Sequence, residues 1–112
     1  MALERGKLSN IVQVAAGSTV GIITVAASKR VYVKSIAAFD VTGAGSTAHV
    51  YVIPNGESVG DATKLYNITL TANETVLIEP SYPIVLDTTG DQISVGSTGS
   101  NVNFFITGDK EQ

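Results

Sequence analysis

The side chains that could do chemistry are few in this chain of 112 residues and lie far apart along it. His49 is the only histidine, and it lies in a segment with strand-like alternation and no orienting acid close by in sequence. The absence of cysteine excludes a thiol nucleophile, a thiolate metal site and a disulfide framework. Nucleophilic catalysis needs a hydroxyl or thiol beside a base. His49 could act as that base only if an acid on a neighbouring strand oriented its ring. We therefore expect an ordinary strand histidine and no enzyme activity.

Acidic and glycine-rich segments also favour structural roles. The acids fall mostly at predicted strand ends and turns, not as the pair across a cleft that a glycosidase needs. The segment Asp87-Thr88-Thr89-Gly90-Asp91 is the densest oxygen cluster, but calcium takes about six to eight oxygen ligands. A turn is expected there, with a bound cation as the alternative. The glycine-rich residues 43–46 precede no helix, so they lack the N-terminus that cradles phosphate. We expect neither cofactor nor metal.

The low charge of the chain bears on its partners. Charged residues make up 15%, against about 25% in typical domains, and the net charge is −3. The lysines and arginines are scattered and form no basic stripe, so nucleic acid is not an expected partner. A surface with so little charge indicates that copies or partners cover part of it, although small polar side chains could also solvate it.

No segment is predicted to enter a membrane. Residues 20–27 are apolar but broken by Gly21 and Thr24, and a spanning helix needs about 20 apolar residues. Residues 1–10 lack the apolar run of a signal peptide. We therefore expect synthesis in the cytoplasm and no membrane partner, which makes the N-x-S/T matches at Asn67 and Asn73 chance matches.

Short β-branched runs separated by turn residues predict an all-β fold. Pro80 and Pro83 mark an edge or a crossing between sheets, because proline cannot donate to a central ladder. The pattern predicts a single antiparallel β-sandwich of eight or nine short strands, either jelly-roll or immunoglobulin-like. Within it, residues 1–8 are expected to form an N-terminal arm, 9–108 the sandwich and 109–112 a C-terminal tail. The predicted strands are residues 9–14, 20–25, 30–41, 48–53, 64–70, 74–78, 84–86, 92–95 and 101–107.

Two of these strands are apolar on both faces. Strict alternation places Tyr32 and Ile36 opposite the apolar face of residues 30–41, and it places Tyr51 likewise in residues 48–53. A second apolar face on so small a sandwich indicates contact with another molecule, unless loops of the same chain cover it. The predicted interface residues are Leu3, Leu8, Ile11, Tyr32, Ile36, Tyr51 and Ile53.

From Arg30 onward, a series of short strand and turn motifs follows, and together these motifs span about two-thirds of the whole chain. The motifs are Val33-Lys34-Ser35-Ile36, residues 48–54, Lys64-Leu65-Tyr66-Asn67-Ile68, residues 70–75, Pro83-Ile84-Val85-Leu86, residues 90–95 and residues 102–108. This series resembles the small β-sandwich virion proteins of tailed bacteriophages, of the capsid decoration or cement type. The resemblance implies a structural protein of the virion, made in the host cytoplasm, that stabilises the head by binding across capsid subunits. Its implied partners are the major capsid protein and copies of itself, as a trimer.

Two other functions stay open at this point. The chain could belong to a tail, neck or fibre and act as a receptor- or glycan-binding module, with Tyr66 and Tyr82 near loops as the contact residues. It could also form a neck or tail-completion ring. The number of copies per particle distinguishes these roles from a cement protein, which would be present in hundreds of copies.

Overall fold

The computed structural model describes residues 3–27 and 29–111. In these residues the chain forms ten strands and no helix, which confirms the all-β prediction with one or two more strands than the eight or nine expected. The strands pair in two antiparallel sheets that form a β-sandwich. The strands are β1 (Leu3–Lys7), β2 (Val12–Val14), β3 (Thr19–Thr24), β4 (Val31–Asp40), β5 (Ser46–Ile53), β6 (Lys64–Leu70), β7 (Thr75–Ile78), β8 (Ile84–Leu86), β9 (Gln92–Ser97) and β10 (Val102–Glu111).

The first sheet has six strands and the second has four. The first runs in the order β1-β10-β4-β7, with β2 also paired to β10 and β8 also paired to β4. The second runs in the order β3-β9-β5-β6. The core lies between the two sheets, where Phe104 is the largest fully buried side chain and packs with Ile36, Leu70 and Ile93.

Secondary structure extends beyond the predicted sandwich bounds of 9–108 at both ends. β1 pairs with the last residues of β10, from Leu3 opposite Glu111 to Lys7 opposite Thr107. Every residue of β1 is exposed, so this strand adds a backbone ladder and no core side chain. Its sequence has no apolar alternation, which is why alternation alone did not reveal it. The role of residues 1–8 as an arm stays a prediction.

A β-bulge at Lys34 changes which side chains of β4 face the core. Ser35 is opposite Thr107 while Val33 is opposite Gly108, so Lys34 is the extra residue on its strand. Odd-numbered side chains are therefore buried before the bulge, and Ile36 is buried after it with 0% of its surface exposed. The prediction that Ile36 faces outward is wrong because strict alternation does not hold across a bulge.

Gly108 is the residue that lets the bulge form. A Cβ built on Gly108 would overlap the carbonyl oxygen of Tyr32 and would come within 3.0 Å of the backbone nitrogen of Lys34. The two backbones approach each other so closely that only glycine fits between them. The bulge therefore depends on one residue in each strand.

Tyr51 and Ile53 are also buried, at 7% and 3% exposed, but outside the core cluster between the sheets. The ammonium of Lys64 lies 5.9 Å from the centre of the Tyr51 ring, and Val52 N donates to the carbonyl of Thr63 at 2.8 Å. The chain itself thus shields these side chains from water. This agrees with the alternative given above, that parts of the same chain cover the second apolar face. The prediction that they contact a partner is wrong for the folded chain.

Candidate interface on the outer face of the first sheet

The face of the six-stranded sheet that points away from the core is called the outer face below. Its side chains form rows across the strands because residues opposite each other in register point to the same side. The pairings give one row through Asn103, Phe39 and Thr75, and a second through Phe105, Ala37 and Leu77. Further rows run through Lys7, Thr107 and Ser35, and through Arg5, Asp109, Tyr32 and Val85. The outer face is therefore apolar at one end and charged at the other.

The apolar end of the outer face contains a hollow of about 220 Å³. No charged side chain is part of its lining, and Ile11, Phe39 and the neighbouring Leu77 are all exposed large hydrophobic residues. Uncovered apolar side chains on adjacent strands are typical of a surface that another molecule covers. The hollow is lined by Ile11, Ala37, Phe39, Asn103, Phe104 and Phe105.

Asn103 places an unsatisfied polar atom in the lining of the apolar hollow. Its Oδ1 is shielded from water and accepts no hydrogen bond from the described residues. An unpaired buried acceptor costs about 1–3 kcal/mol, so a donor from a bound partner would recover part of that cost. Polar atoms of this kind give an otherwise apolar contact its orientation.

The charged end of the outer face contains a second hollow, of about 320 Å³. The Lys34 ammonium lies 2.7 Å from Asp109 Oδ2, and Arg5 Nε lies 3.4 Å from Asp109 Oδ1. The hydrogen bond from Lys34 is the main reason that the pKa of Asp109 lies below its ordinary value, although burial opposes this. Lys7 donates to Asn10 at 2.8 Å. This basic hollow is lined by Arg5, Gly6, Lys7, Lys34, Phe105, Thr107 and Gly108.

The structure brings three of the seven predicted interface residues to the outer face, and their role as contacts stays a prediction. Leu3 and Tyr32 lie at its charged end, and Ile11 lies at the apolar hollow. Leu8 is partly buried and packs against the core, and the remaining three are buried as described above.

Sequence reasoning missed Phe105, although a signal for it was present. Phe104 and Phe105 are adjacent in one strand, and neighbouring side chains of a strand point to opposite faces. One of the two rings had to lie outside the core, and the structure places Phe105 there, between the two hollows. Phe39 was missed for a different reason, since the bulge moved it from the expected core face to the outer face.

The other residues that could do chemistry, His49 and the acids near Asp91, have contacts typical of structural residues. The ring of His49 is partly buried with its centre 6.2 Å from that of Tyr51, and its Nδ1 has no hydrogen-bond partner. Asp91 accepts hydrogen bonds from the backbone nitrogens of Asn55 and Thr88, which is turn chemistry. Across residues 3–27 and 29–111, no three residues of types His, Cys, Asp and Glu come together as a metal site would require. The same residues include no helix long and apolar enough to cross a membrane.

The glycine-rich loop binds a carboxylate of its own chain. Asp40 is fully buried and accepts hydrogen bonds from Gly43 N at 3.2 Å and Gly45 N at 2.8 Å. Burial raises the pKa of Asp40, but these bonds and others from Ser100 and Asn73 outweigh it, so the pKa lies below its ordinary value. The backbone donors that a phosphate would need are thus already used.

Comparison with known proteins finds similarity in fold only. No family model matches the chain, and no curated protein matches its sequence. A chain of the infectious bursal disease virus particle, from a crystal structure of its T13 form, matches with a TM-score of 0.53 and 15% identity over 97% of this chain and 30% of that one. A second structure of that virus, the Gx strain, matches with a TM-score of 0.48 and 14% identity over 95% and 32%.

A further match is a Bacillus endospore appendage, a disulfide-linked pilus, with a TM-score of 0.48 and 17% identity over 98% of this chain and 88% of that one. The chain spans about a third of the length of the viral chains that it matches. Of these three matches, the one to the T13 particle is close enough to bear on the fold, and it shows that a chain of a virus particle contains a similar fold.

Proposed function

We propose that this chain is a structural protein of a virion, a capsid decoration or cement protein that stabilises the head by binding across neighbouring capsid subunits. The observation that supports this proposal most directly is the apolar end of the outer face. There, exposed hydrophobic side chains surround a hollow without a charged residue. The fold similarity to a chain of a virus particle is consistent with it.

The physical argument is one of repeated modest contacts. The centre of a protein interface is depleted in charge and rich in aromatic residues, as the surface around Phe39 and Phe105 is. Apolar surface contributes about 25 cal/mol for each Å² removed from water, and a standard interface buries about 1,600 Å². Copies that also hold one another would gain from effective concentration on the shell. Such a protein needs binding surfaces and no reaction centre.

A matched pair of leucine substitutions tests the proposal. Leu77 and Leu65 are similarly exposed, at 56% and 49%, but Leu77 lies on the outer face and Leu65 lies on an edge strand of the other sheet. We expect Leu77→Asp to weaken co-sedimentation with purified particles at least tenfold, as loss of a central interface residue does. Leu65→Asp is the control and should bind as the parent protein does.

Copy number gives an independent test of the same proposal. Quantitative mass spectrometry of purified particles should find this chain in hundreds of copies if it is a cement protein. A handful of copies per particle would contradict that role, as would binding of Leu77→Asp at the strength of the parent protein.

A receptor- or glycan-binding role in a tail, neck or fibre is the second candidate. Tyr82 favours it, because 78% of this residue is exposed between two prolines. Tyr66 does not, because it is partly buried against the core. Binding on a glycan array that disappears in Tyr82→Ala, together with a low copy number, would support this candidate over the first.

A further inference from the structure

The charged end of the outer face and one loop of the second sheet have complementary compositions. The loop between β5 and β6 is exposed over residues 54–62. It presents Val59, which is 46% exposed, between the acidic residues Glu57 and Asp61. The basic hollow presents the apolar ring of Phe105 beside cationic side chains. The loop thus presents an apolar side chain between two acids, and the basic hollow presents an apolar ring among bases.

We propose that the basic hollow binds this loop from a second copy of the chain. This contact between copies rests on the proposed capsid role and identifies the surfaces through which the copies would hold one another. Val59 of one copy packs against Phe105 of the next. The carboxylates of Glu57 and Asp61 pair with Arg5 and Lys7. The apolar hollow on the other side of Phe105 stays available for the capsid subunits.

The charges of the hollow leave room for two carboxylates. Arg5, Lys7 and Lys34 contribute three positive charges, and Asp109 beside them contributes one negative charge, which leaves an excess of two. Lys34 is already held by Asp109 at 2.7 Å. Arg5 has a side chain that is 85% exposed, and Lys7 binds the exposed Asn10, so both can turn toward a partner at small cost. Glu57 and Asp61 supply two negative charges, and the ion pair of Asp61 with Lys64 at 3.7 Å reduces the net charge on the loop side to one negative charge.

The positions of the two surfaces suit repeated contact between copies. Val31 lies opposite both Lys110 of β10 and Leu86 of β8, and a short connection leads from Leu86 to Asp91. Asp91 in turn holds the start of the loop through Asn55 N at 3.0 Å. The loop and the basic hollow are therefore at the same end of the sandwich and on opposite sheets.

A contact between two different surfaces of one chain is heterologous, and it either closes into a ring or continues as a filament. Because the two surfaces lie on opposite sheets, one copy can contact a neighbour on each side. Complementary charge in such a contact sets the register and makes association sensitive to salt.

A charge exchange tests the contact. The hollow variant is Arg5→Glu with Lys7→Glu, and the loop variant is Glu57→Lys with Asp61→Lys; circular dichroism first confirms that each is folded. Sedimentation over a range of protein and salt concentrations should show association of the parent protein that weakens with salt. We expect each variant alone to associate at least tenfold more weakly, because like charges then face each other.

One mixture and one combined variant decide the outcome. Equal amounts of the hollow and loop variants should associate again, because each acidic hollow then meets a basic loop and each basic hollow meets an acidic loop. The chain that carries all four substitutions should also associate with itself. Failure of both restorations, with all proteins folded, would overturn the inference.

The result is separable from that for the proposed function. Val59→Asp should remove self-association and Leu77→Asp should leave it intact, whereas Leu77→Asp should lose particle binding. A parent protein that is monomeric at every concentration but binds particles would overturn the self-contact alone. Self-association without particle binding would instead overturn the capsid role.

Discussion

Replacement of Gly108 by alanine tests whether the bulge between β4 and β10 organises the outer face. The added Cβ would overlap the carbonyl oxygen of Tyr32, which belongs to the backbone and cannot rotate away. Overpacking of this kind costs about 1–3 kcal/mol, and a ladder hydrogen bond lost as the strands separate costs about 1 kcal/mol more. We therefore expect a loss of about 3 kcal/mol. At about 4 °C per kcal/mol for a domain of this size, the melting temperature should fall by about 12 °C.

Gly60→Ala is the matched control for this measurement. A Cβ at Gly60 meets nothing within 4 Å, and the φ angle of Gly60 lies outside the left-handed region. Its replacement should leave stability unchanged or raise it by about 0.4–1 kcal/mol through the unfolded chain. Thermal and urea denaturation followed by circular dichroism provide the assay. If Gly108→Ala and Gly60→Ala melt within about 2 °C of each other, the steric account of the bulge is refuted.

Two further predictions concern the core and the glycine-rich loop. Phe104→Ala should lower the free energy of unfolding by about 3–5 kcal/mol, whereas Phe39→Ala on the outer face should cost much less; equal losses in urea denaturation would contradict the assignment of the two faces. Asp40 has a pKa below its ordinary value of 3.8 in the folded chain, so its carboxylate stabilises the fold fully above that pH, and the contribution disappears as pH falls through the lower folded pKa. The difference in urea midpoint between the parent and Asp40→Asn should accordingly be large at neutral pH and shrink in strong acid, and a difference independent of pH would argue against this role.

The sequence was sufficient for the fold class and for most strands because both follow from local patterns. β6 and β8 have the predicted bounds, since turn residues enclose their β-branched runs on both sides. β1 was not foreseen, because the residues from Leu3 to Lys7 are all exposed and join β10 through the backbone ladder and polar side-chain contacts, without apolar packing. A strand that is stabilised mainly by backbone hydrogen bonds needs no alternation of apolar residues, so its sequence does not reveal it.

The outer face was only partly predictable, because its identity depends on a pairing between strands distant in sequence. The sequence of β4 alone is compatible both with strict alternation and with a bulge at Lys34. What selects the second is the close backbone approach at Gly108, more than 70 residues later, which no local pattern reports. The bulge turns Ile36 and Ala38 into the core and leaves Ala37 and Phe39 outside beside Phe105.

The same bulge gives the outer face its two different ends. Lys34, the extra residue, points outward and is held by Asp109. On one side of it, the strands present the charged row that starts at Arg5, and on the other side they present the apolar row that starts at Phe105. Without the extra residue, Ile36 and Ala38 would lie on the outer face in place of Ala37 and Phe39. A change at Gly108 should therefore weaken both proposed contacts together, whereas Leu77→Asp and Val59→Asp should each remove only one.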